Sequence, residues 1–257
     1  MTNFDLPVVI LAGGKGTRLQ EETISIPKPL VTVGGLPIIV HIMNIFLYQG
    51  FQNFIILTGY KSDLFEKFFS GVESWSGEEK KRHGLHTGEG ANIDFKVTLV
   101  ETGLESPTGE RVRRLVNYLD SDFLLTYGDG LANVNVDSLI EMNKKCKTLI
   151  TLTAVRPPAR FGALEVNPEN IVTTFAEKHM NSETLINGGF MYVKKEFLQQ
   201  IHPDSSLESD ILPELVSQNQ LSALIHLGFW KAMDTLRDKE SLNEIAQNRK
   251  FPWLDFG

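Results

Sequence analysis

VVILAGG, at residues 8–14, is the stretch of sequence that decides the fold class. Its first part, residues 8–12, is a short and continuous apolar run rich in β-branched side chains, and Gly13 and Gly14 end it. Such a run is typical of a strand that is buried on both faces, as the strands of a parallel sheet are. The run therefore predicts the first strand of a parallel sheet.

Apolar runs alternate with amphipathic segments over the first part of the chain. Further strands are predicted at 54–58, 123–126 and 149–154, and helices are predicted at 38–48, 64–69 and 136–143. Strands that alternate with helices are typical of an α/β fold with helices on both faces of its sheet. We therefore predict a Rossmann-like fold with a mixed, mainly parallel sheet.

The pattern changes after about residue 155. Strands joined by short connections are predicted at 162–166, 171–175 and 186–193, which indicates a small added β region. The segment at 70–92 is polar and has no period, so we expect it to be a surface excursion or a mobile lid.

The carboxyl-terminal part of the chain ends in an aromatic tail. A closing helix is predicted at 236–247, and FPWLDF, at 251–256, follows it. An exposed tail of this composition is unfavourable, so we expect it to dock on its own subunit or to reach a neighbour. No linker is long enough to separate two independent domains, and we expect a single domain over residues 1–257.

Composition and charge restrict the class of function. A chain of 257 residues with 42% hydrophobic content can bury a core without disulfides, and its single cysteine, Cys146, has no internal partner. A formal net charge of -7 disfavours a general nucleic-acid surface, because phosphate backbones are held by clustered Lys and Arg. The amino terminus has no leader-like segment, and no apolar run approaches the ~20 residues of a membrane span. We expect a cytoplasmic protein that binds neither nucleic acid nor membrane.

The segment LAGGKGTRL, at residues 11–19, directly follows the first predicted strand. Small residues at the end of a strand allow backbone amides to approach an anionic group, which indicates a phosphate-binding loop. The spacing matches neither the P-loop nor the dinucleotide-binding motif, and a plain tight turn is the alternative. Pro27 and Pro29 fix the backbone on both sides of Lys28, which suits an ammonium group that is held in place. On charge alone, a solvated surface explains the basic residues of this region better.

Two aspartates are candidate metal ligands. Asp129 follows the strand predicted at 123–126 and is flanked by glycines, at the edge where open α/β sheets bind their ligands. A turn residue is the alternative, because Gly-Asp-Gly also favours turns. Asp234 lies just before the closing helix, where it serves equally well as a helix-terminal residue. Mg²⁺ takes its oxygen shell from one or two carboxylates, phosphates and water, so these two aspartates would suffice.

The runs LAGGKGTRL and PKPLVTVGGLPII resemble, in motif and in spacing, the signature of the sugar-1-phosphate nucleotidyltransferases. From residue 8 to about residue 253, the chain is most similar to the glucose-1-phosphate cytidylyltransferase branch of that family. Further matching segments lie at 97–103, 108–111, 160–163, 186–190 and 233–239. The resemblance implies the nucleotide-diphospho-sugar transferase type of fold, Mg²⁺ as cofactor and a homo-oligomer. It also implies a nucleotide-binding part over about 1–155, a sugar-phosphate-binding part over about 156–235, and a terminal helix and tail over about 236–257.

The resemblance also implies roles for particular residues. The residues expected to bind the nucleotide are Leu11, Ala12, Gly13, Gly14, Lys15, Gly16, Thr17, Arg18, Lys28, Thr108, Arg111 and Gly128. The residues expected to bind the sugar phosphate are Glu177, Lys178, Asn187 and Gly188. Arg18, Lys28 and Asp129 are expected to be catalytic, and Asp129 and Asp234 to hold the metal. The run Glu177-Lys178-His179 departs from the Glu-Lys-Pro of the family.

The implied reaction joins CTP and a sugar 1-phosphate, glucose 1-phosphate above all, to give CDP-glucose and pyrophosphate. The attacking phosphate oxygen is already an anion, so catalysis needs alignment and charge neutralisation rather than a general base. A uridylyl-, thymidylyl- or guanylyltransferase acting on another sugar 1-phosphate is the nearest alternative. A non-catalytic sensor on the same fold is a second alternative, against which the set of candidate cations and carboxylates argues.

Overall fold

The structure is a computed structural model that describes residues 6–71, 95–157, 163–176, 184–247 and 251–256. Glu177, Lys178 and His179 lie outside the described residues. The surface excursion predicted at 70–92 also lies outside them, except for its first two residues.

Strands and helices follow one another along the chain much as the sequence predicts. The strands are β1 (Val8–Leu11), β2 (Thr32–Val33), β3 (Leu36–Pro37), β4 (Asn53–Thr58), β5 (Lys96–Glu101), β6 (Phe123–Tyr127), β7 (Gly130–Ala132), β8 (Ile150–Val155), β9 (Ala163–Val166), β10 (Val172–Ala176), β11 (Ile186–Val193), β12 (Leu221–His226) and β13 (Trp230–Ala232). The helices are α1 (Gln20–Thr23), α2 (Ile38–Leu47), α3 (Ser62–Phe69), α4 (Thr108–Arg113), α5 (Val136–Cys146), α6 (Leu212–Ser217) and α7 (Leu236–Gln247). All of these helices lie within the described ranges.

Seven strands form the main sheet, in the spatial order β12-β8-β11-β6-β1-β4-β5. β11 runs antiparallel to both of its neighbours, and the other neighbouring pairs are parallel. The prediction of a mixed, mainly parallel sheet is therefore confirmed. The assignment of residues 186–193 to the added β region is corrected, because β11 lies in the middle of the main sheet. An apolar strand pattern does not reveal which strands will pair with it.

Two hydrophobic cores lie on opposite faces of this sheet. Side chains of β1 alternate between them: Val8 and Ile10 pack in the core that contains α2, whereas Val9 and Leu11 pack in the other, with Val112 of α4. Alternation of this kind follows from the two-residue period of a strand. All ten residues of α2 are buried. Helices thus cover both faces, as the apolar runs predict.

A small antiparallel hairpin, β9–β10, forms the added β region. Its strand bounds agree within a residue with the strands predicted at 162–166 and 171–175. The hairpin pairs with itself rather than with the main sheet. The connection between β8 and β11 therefore leaves the main sheet and returns to it.

The aromatic tail docks on its own chain. Trp253 has 0% of its surface exposed, and its ring centroid lies 5.2 Å from that of His41 and 5.7 Å from that of Phe229. His41 is itself buried in α2, where its Nε2 lies 2.9 Å from the carbonyl oxygen of Val33. The expectation that the tail docks on its own subunit is thus confirmed. Of the described helices, none combines the length and the apolar character needed to span a membrane.

Candidate active site

A short antiparallel pair, β7 with β13, places the two candidate metal-binding aspartates. Ala232 pairs with Gly130 in this ladder, and the amide of Met233 donates to the carbonyl oxygen of Asp129 at 2.9 Å. Asp129 and Asp234 flank the paired residues. Because the register of the ladder is fixed by these hydrogen bonds, the two aspartates come to the same end of it.

The helix α7 is capped without the side chain of Asp234. Thr235 accepts from the amide of Asp238 at 3.2 Å, and the carboxylate of Asp238 accepts from the amides of Thr235 and Asp234 at 2.9 and 3.2 Å. These reciprocal bonds form a capping box in which Asp takes the usual place of Glu or Gln. The role of helix terminus, which the sequence left open for Asp234, belongs to Thr235 and Asp238.

Lys28 lies between the two aspartates. Its Nζ is 2.7 Å from Oδ2 of Asp129 and 2.8 Å from Oδ1 of Asp234, and the side chain is only 12% exposed. Pro27 is extended and Pro29 lies in the short 3-10 turn Lys28–Leu30, so the backbone on both sides of the lysine is constrained. Burial alone would lower the pKa of Lys28, but the two carboxylates outweigh it and raise the pKa above its ordinary value. Lys28 therefore stays charged.

Other basic residues of the glycine-rich loop lie around this cluster. Arg18 donates to Oδ2 of Asp234 at 3.0 Å, with 74% of its side chain exposed. Lys15 lies earlier in the loop and pairs with Glu105 at 2.6 Å. Arg18 therefore joins the Lys28 cluster at its solvent side, and Lys15 does not contact the cluster's carboxylates. Thr17 begins the 3-10 turn Thr17–Leu19 that carries Arg18.

Two glycines of the loop pack closely against neighbouring side chains. Gly16 has φ +62°, and a Cβ there would lie 2.9 Å from Cγ2 of Thr23 and 3.2 Å from Cβ of Lys28. A Cβ on Gly13 would lie 2.1 Å from a guanidinium nitrogen of Arg111. By contrast, a Cβ on Gly14 would have no neighbour within 4 Å. The loop therefore packs tightly on both sides of a free space at Gly14.

An open pocket joins the loop to the lysine cluster. Its water-accessible volume is about 110 Å³. Its walls are formed by Leu11, Ala12, Gly13, Gly14, Lys28, Pro29, Thr108, Arg111, Tyr127, Gly128 and Asp129. Most of the residues expected to bind the nucleotide thus share one pocket with Lys28 and Asp129.

Arg111 is a buried cation in the wall of this pocket. Among the described residues, its guanidinium donates to four neutral oxygens at distances of 2.6 to 3.3 Å: Thr102 Oγ1 and the carbonyls of Gly103, Thr58 and Leu104. Burial lowers the pKa of this guanidinium. These acceptors fix the guanidinium in the wall of the pocket, and the charge of Glu105 offsets part of the effect of burial on it. A cation fixed in a pocket wall favours an anionic ligand nearby.

Tyr127 and Glu208 belong to the site and were not found by sequence reasoning. Tyr127 lines the pocket, and its hydroxyl donates to Glu208 at 2.5 Å. Thr108, another pocket residue, donates to the same carboxylate at 2.6 Å. The position of Tyr127, directly before Gly128 and Asp129 at the end of a buried strand, was a usable signal. Glu208 had none, since it lies in the short π-helical segment Leu207–Ile211, far along the chain.

Of the residues expected to bind the sugar phosphate, Asn187 and Gly188 are described. Both lie at the start of β11, beside β6, which ends at Tyr127. Nδ2 of Asn187 donates to the Tyr127 hydroxyl at 3.3 Å. The carbonyl oxygen of Gly188 accepts from the indole of Trp230 at 2.8 Å. Asn187 is thus linked to the wall of the pocket by a direct hydrogen bond.

The two aspartates fit a magnesium ion. Both carboxylates reach the same atom, Nζ of Lys28, so they lie close enough to share one small cation. Over the described part of the chain, no three His, Cys, Asp or Glu side chains converge. A divalent cation held by these two carboxylates would take the rest of its shell from water or phosphate oxygens rather than from a cage of described side chains.

Comparison with known proteins identifies the family. The family described as nucleotidyl transferase matches residues 7–257 of this chain. The chain belongs to the nucleotidyl transferase family. Within that family, it is 39% identical over 254 residues to the glucose-1-phosphate cytidylyltransferase of Salmonella typhimurium, covering 96% of this chain and 98% of the relative. It is 36% identical over 259 residues to a probable glucose-1-phosphate cytidylyltransferase of Bacillus subtilis, covering 96% and 99%.

A solved structure supports the same fold for this nucleotidyl transferase family member. HddC from Yersinia pseudotuberculosis aligns with a TM-score of 0.69 and 24% identity, over 93% of this chain and 98% of HddC. At this identity the likeness concerns the fold alone. The expected nucleotide-diphospho-sugar transferase type of fold agrees with it.

Proposed function

We propose that the protein is a cytidylyltransferase that converts CTP and α-D-glucose 1-phosphate into CDP-glucose and pyrophosphate. One observation carries the proposal: Lys28 meets Asp129 and Asp234 beside a glycine-rich turn. This cluster lies in a chain that is 39% identical to a glucose-1-phosphate cytidylyltransferase over 96% of its length.

The proposed reaction is an in-line substitution at phosphorus. An oxygen of the sugar phosphate attacks the α-phosphorus of CTP, and the bond from that phosphorus to the pyrophosphate oxygen breaks. The attacking oxygen is already negatively charged at neutral pH, so no side chain has to remove a proton. The protein has to align the two phosphates and neutralise the charge between them.

The glycine-rich loop and the lysine cluster fit these tasks. We assign the nucleotide to the pocket beside Gly13, Gly14 and Gly16, where backbone amides can approach phosphates. Lys28 supplies positive charge from a constrained position in this pocket, and Arg18 supplies it from the solvent side of the Lys28 cluster. The lysine is already desolvated, which strengthens its attraction for a phosphate because the local dielectric is low. Lys15, Thr108, Arg111 and Gly128 are assigned to the nucleotide as well.

We assign Mg²⁺ to Asp129 and Asp234. Bound there, the ion would neutralise phosphate charge and help to align the triphosphate. The β7–β13 ladder holds both carboxylates in position for it. Asn187, Gly188, Glu177 and Lys178 are assigned to the sugar phosphate. The homo-oligomeric state stays a prediction, which sedimentation velocity would test.

A screen of pyrophosphate release tests the function. Four nucleoside triphosphates are each mixed with Mg²⁺ and a panel of sugar 1-phosphates, and the Asp129→Asn variant provides a matched control. We expect release to be fastest with CTP and glucose 1-phosphate. Faster release with another pair would indicate a sister transferase. No release from the wild-type protein with any pair, together with saturable binding of CTP, would indicate a sensor.

A further inference from the structure

Four polar side chains form a hydrogen-bonded chain across the site. Thr108, at the start of α4, and Tyr127, at the end of β6, both donate to Glu208, at 2.6 and 2.5 Å. At the other end, Nδ2 of Asn187 donates to the hydroxyl of Tyr127 at 3.3 Å. The chain runs from a residue assigned to the nucleotide to one assigned to the sugar phosphate. Its two central members, Tyr127 and Glu208, have no part in the function proposed above.

The two ends of this chain fix the direction of every hydrogen bond in it. The amide of Gly189 can only donate, and it donates to Oδ1 of Asn187 at 2.9 Å, so Nδ2 of Asn187 must face Tyr127. An ionised carboxylate can only accept, so the hydroxyl of Tyr127 must donate to Glu208 and accept from Asn187. Both ends therefore select the same orientation of the Asn187 amide.

Glu208 stays ionised and can therefore only accept hydrogen bonds. Burial alone would raise the pKa of this carboxyl, but hydrogen bonds from Thr108 and Tyr127 outweigh it, and the pKa is lowered. Ser206 adds a third hydroxyl at 2.9 Å. A tyrosine hydroxyl carries its proton at neutral pH, so Tyr127 donates to this carboxylate. The link between the two residues is thus a hydrogen bond from a neutral hydroxyl to a charged carboxylate, one of the stronger kinds.

The ring of Tyr127 is also held sterically. Gly189 has φ +87°, and a Cβ there would lie 2.7 Å from a ring carbon of Tyr127. The ring therefore lies directly against the backbone of β11, the strand that carries Asn187. Tyr127 also belongs to the strand that leads into Asp129. The hydroxyl of Tyr127 is consequently fixed relative to both sides of the site.

We propose that Tyr127 and Glu208 are positioning residues that hold the amide of Asn187 as a hydrogen-bond donor toward the sugar 1-phosphate. The proposal rests on the proposed function. An amide group carries two N–H donors, and Tyr127 takes only one of them. A sugar 1-phosphate presents acceptor oxygens, which attract the second N–H and would repel the amide oxygen. An Asn187 that turned its oxygen outward would therefore bind this substrate less well.

Tyr127→Phe is the first test, because it keeps the ring and removes only the hydroxyl. We expect the KM for glucose 1-phosphate to rise about 10-fold, the effect of roughly one hydrogen bond, while kcat changes by less than about 3-fold. The KM for CTP should stay within about 2-fold, since the hydroxyl acts on Asn187. An unchanged KM for glucose 1-phosphate overturns the proposal.

A double-mutant cycle shows whether Tyr127 acts through Asn187. Asn187→Ala removes the amide that Tyr127 is proposed to orient. Adding Tyr127→Phe to this variant should then leave the KM for glucose 1-phosphate where Asn187→Ala alone has put it. If the two effects multiply instead, Tyr127 acts independently and the proposal is overturned.

Variants of Glu208 test the part of the hydrogen-bonded chain that lies beyond Tyr127. Glu208→Ala should raise the KM for glucose 1-phosphate as Tyr127→Phe does, and Glu208→Gln, whose amide oxygen can still accept from the tyrosine, should restore most of the loss. Ser206→Ala is the matched control. It removes another hydrogen bond to Glu208 and the cap of residues 207–211, so it should lower the unfolding stability but leave this KM unchanged.

Calorimetric binding of glucose 1-phosphate separates this proposal from the proposed function. The measurement is made on wild-type protein and Tyr127→Phe in the presence of a non-hydrolysable CTP analogue, and it needs no turnover. A wild-type protein that releases no pyrophosphate contradicts the function. Equal affinities of the wild-type protein and the variant contradict the positioning role, whatever the result of the turnover assay.

Discussion

The ammonium group of Lys28 lies 2.7 Å from a carboxylate oxygen of Asp129, although 101 residues separate the two along the chain. The 3-10 turn after Pro27 supplies the lysine, and the end of β6 supplies the aspartate. The contact joins the proposed phosphate-binding side of the pocket to the proposed metal-binding side. Substitutions of Lys28 and Asp129 therefore test the proposed nucleotidyl transfer most directly.

Replacement of Lys28 by alanine should slow the chemical step. We expect Lys28→Ala to raise the barrier to turnover by roughly 2 to 4 kcal/mol, the scale for removal of one preorganised charge-stabilising group. Single-turnover quench-flow with radiolabelled CTP measures this step directly. Lys144→Ala, on the exposed face of α5, is the control and should react as the wild-type protein does. A single-turnover rate in Lys28→Ala equal to that of the wild-type protein would contradict the proposed role of this lysine.

Metal binding should depend on whether the ammonium group of Lys28 lies between the two carboxylates. An ion about 2.0–2.1 Å from each carboxylate cannot share their midpoint with an ammonium group. We therefore expect Mn²⁺, observed by electron paramagnetic resonance, to bind the nucleotide-free protein weakly and to bind more tightly once CTP draws the lysine away. Lys28→Met should bind Mn²⁺ without CTP, because the ammonium group between the two carboxylates is removed.

Asp129→Asn is the counterpart of that experiment. We expect this variant to keep its circular dichroism spectrum while losing both Mn²⁺ binding and the response of activity to Mg²⁺. Activity that rises with Mg²⁺ as in the wild-type protein would contradict the metal assignment of Asp129.

Substitution of two glycines of the loop by alanine should affect different properties of the protein. Gly16→Ala places a side chain at φ +62° and against Thr23, so we expect it to lower the unfolding stability by about 1 to 3 kcal/mol and to reduce activity. Gly14→Ala meets no neighbouring atom within 4 Å and should keep its stability, but its methyl group would enter the space assigned to the nucleotide. Its KM for CTP should rise. Chemical denaturation and steady-state kinetics distinguish the two results.

Glu110 should make the stability of the protein fall in acid. Hydrogen bonds from Arg113 and Arg114 lower the pKa of this carboxyl from 4.5 to about 2. A group whose pKa is lower in the folded state stabilises that state above its unfolded pKa and loses the effect as the pH falls toward its folded pKa. The contribution is therefore complete above about pH 4.5 and disappears toward about pH 2.

Urea unfolding of Glu110→Gln measures this contribution. The variant should be less stable than the wild-type protein at pH 7, and the difference should shrink as the pH falls below 4.5. Glu141→Gln, at an exposed position of α5, is the control for removal of a carboxylate. A difference that is constant with pH would contradict the depressed pKa.

The aromatic tail should contribute strongly to stability. Trp253 is fully buried, so we expect Trp253→Ala to cost about 3 to 5 kcal/mol of unfolding free energy. Leu227→Ala is a control at a side chain that is 79% exposed, and it should cost less than about 0.5 kcal/mol. A small effect of Trp253→Ala in denaturant titrations would show that the tail is dispensable.

Strands with buried faces and amphipathic helices were predictable from the sequence. β1 and α7 follow from local patterns, because their side chains alternate between environments with the period of the element. β12 was not predicted, since it lies at the edge of the sheet, where its side chains are half-exposed and the pattern is weak. β7 and β13 have three residues each, too few for any period to show.

The candidate site was predictable where a motif is local. The glycine-rich loop, Lys28 and Asp129 each carry their signal within a few residues. The meeting of Asp234 with Asp129 was inferred, but the sequence contains no sign of the β7–β13 ladder that brings it about. Glu208 had no local signal at all, because its importance comes from contacts with distant hydroxyl groups.

The antiparallel position of β11 has a consequence for changing the choice of sugar. Asn187 and Asp129 are carried by adjacent strands, so the ladder between β6 and β11 sets their spacing. The excursion that carries the β9–β10 hairpin departs from β8 and rejoins the sheet at β11. We expect changes to the hairpin at 163–176 to leave the spacing of Asn187 and Asp129 unchanged, because the strands set it. Since residues 156–235 are the proposed sugar-phosphate-binding part, engineering of new sugar acceptors should begin at this hairpin, keep Glu177 and Lys178, and leave the sheet untouched.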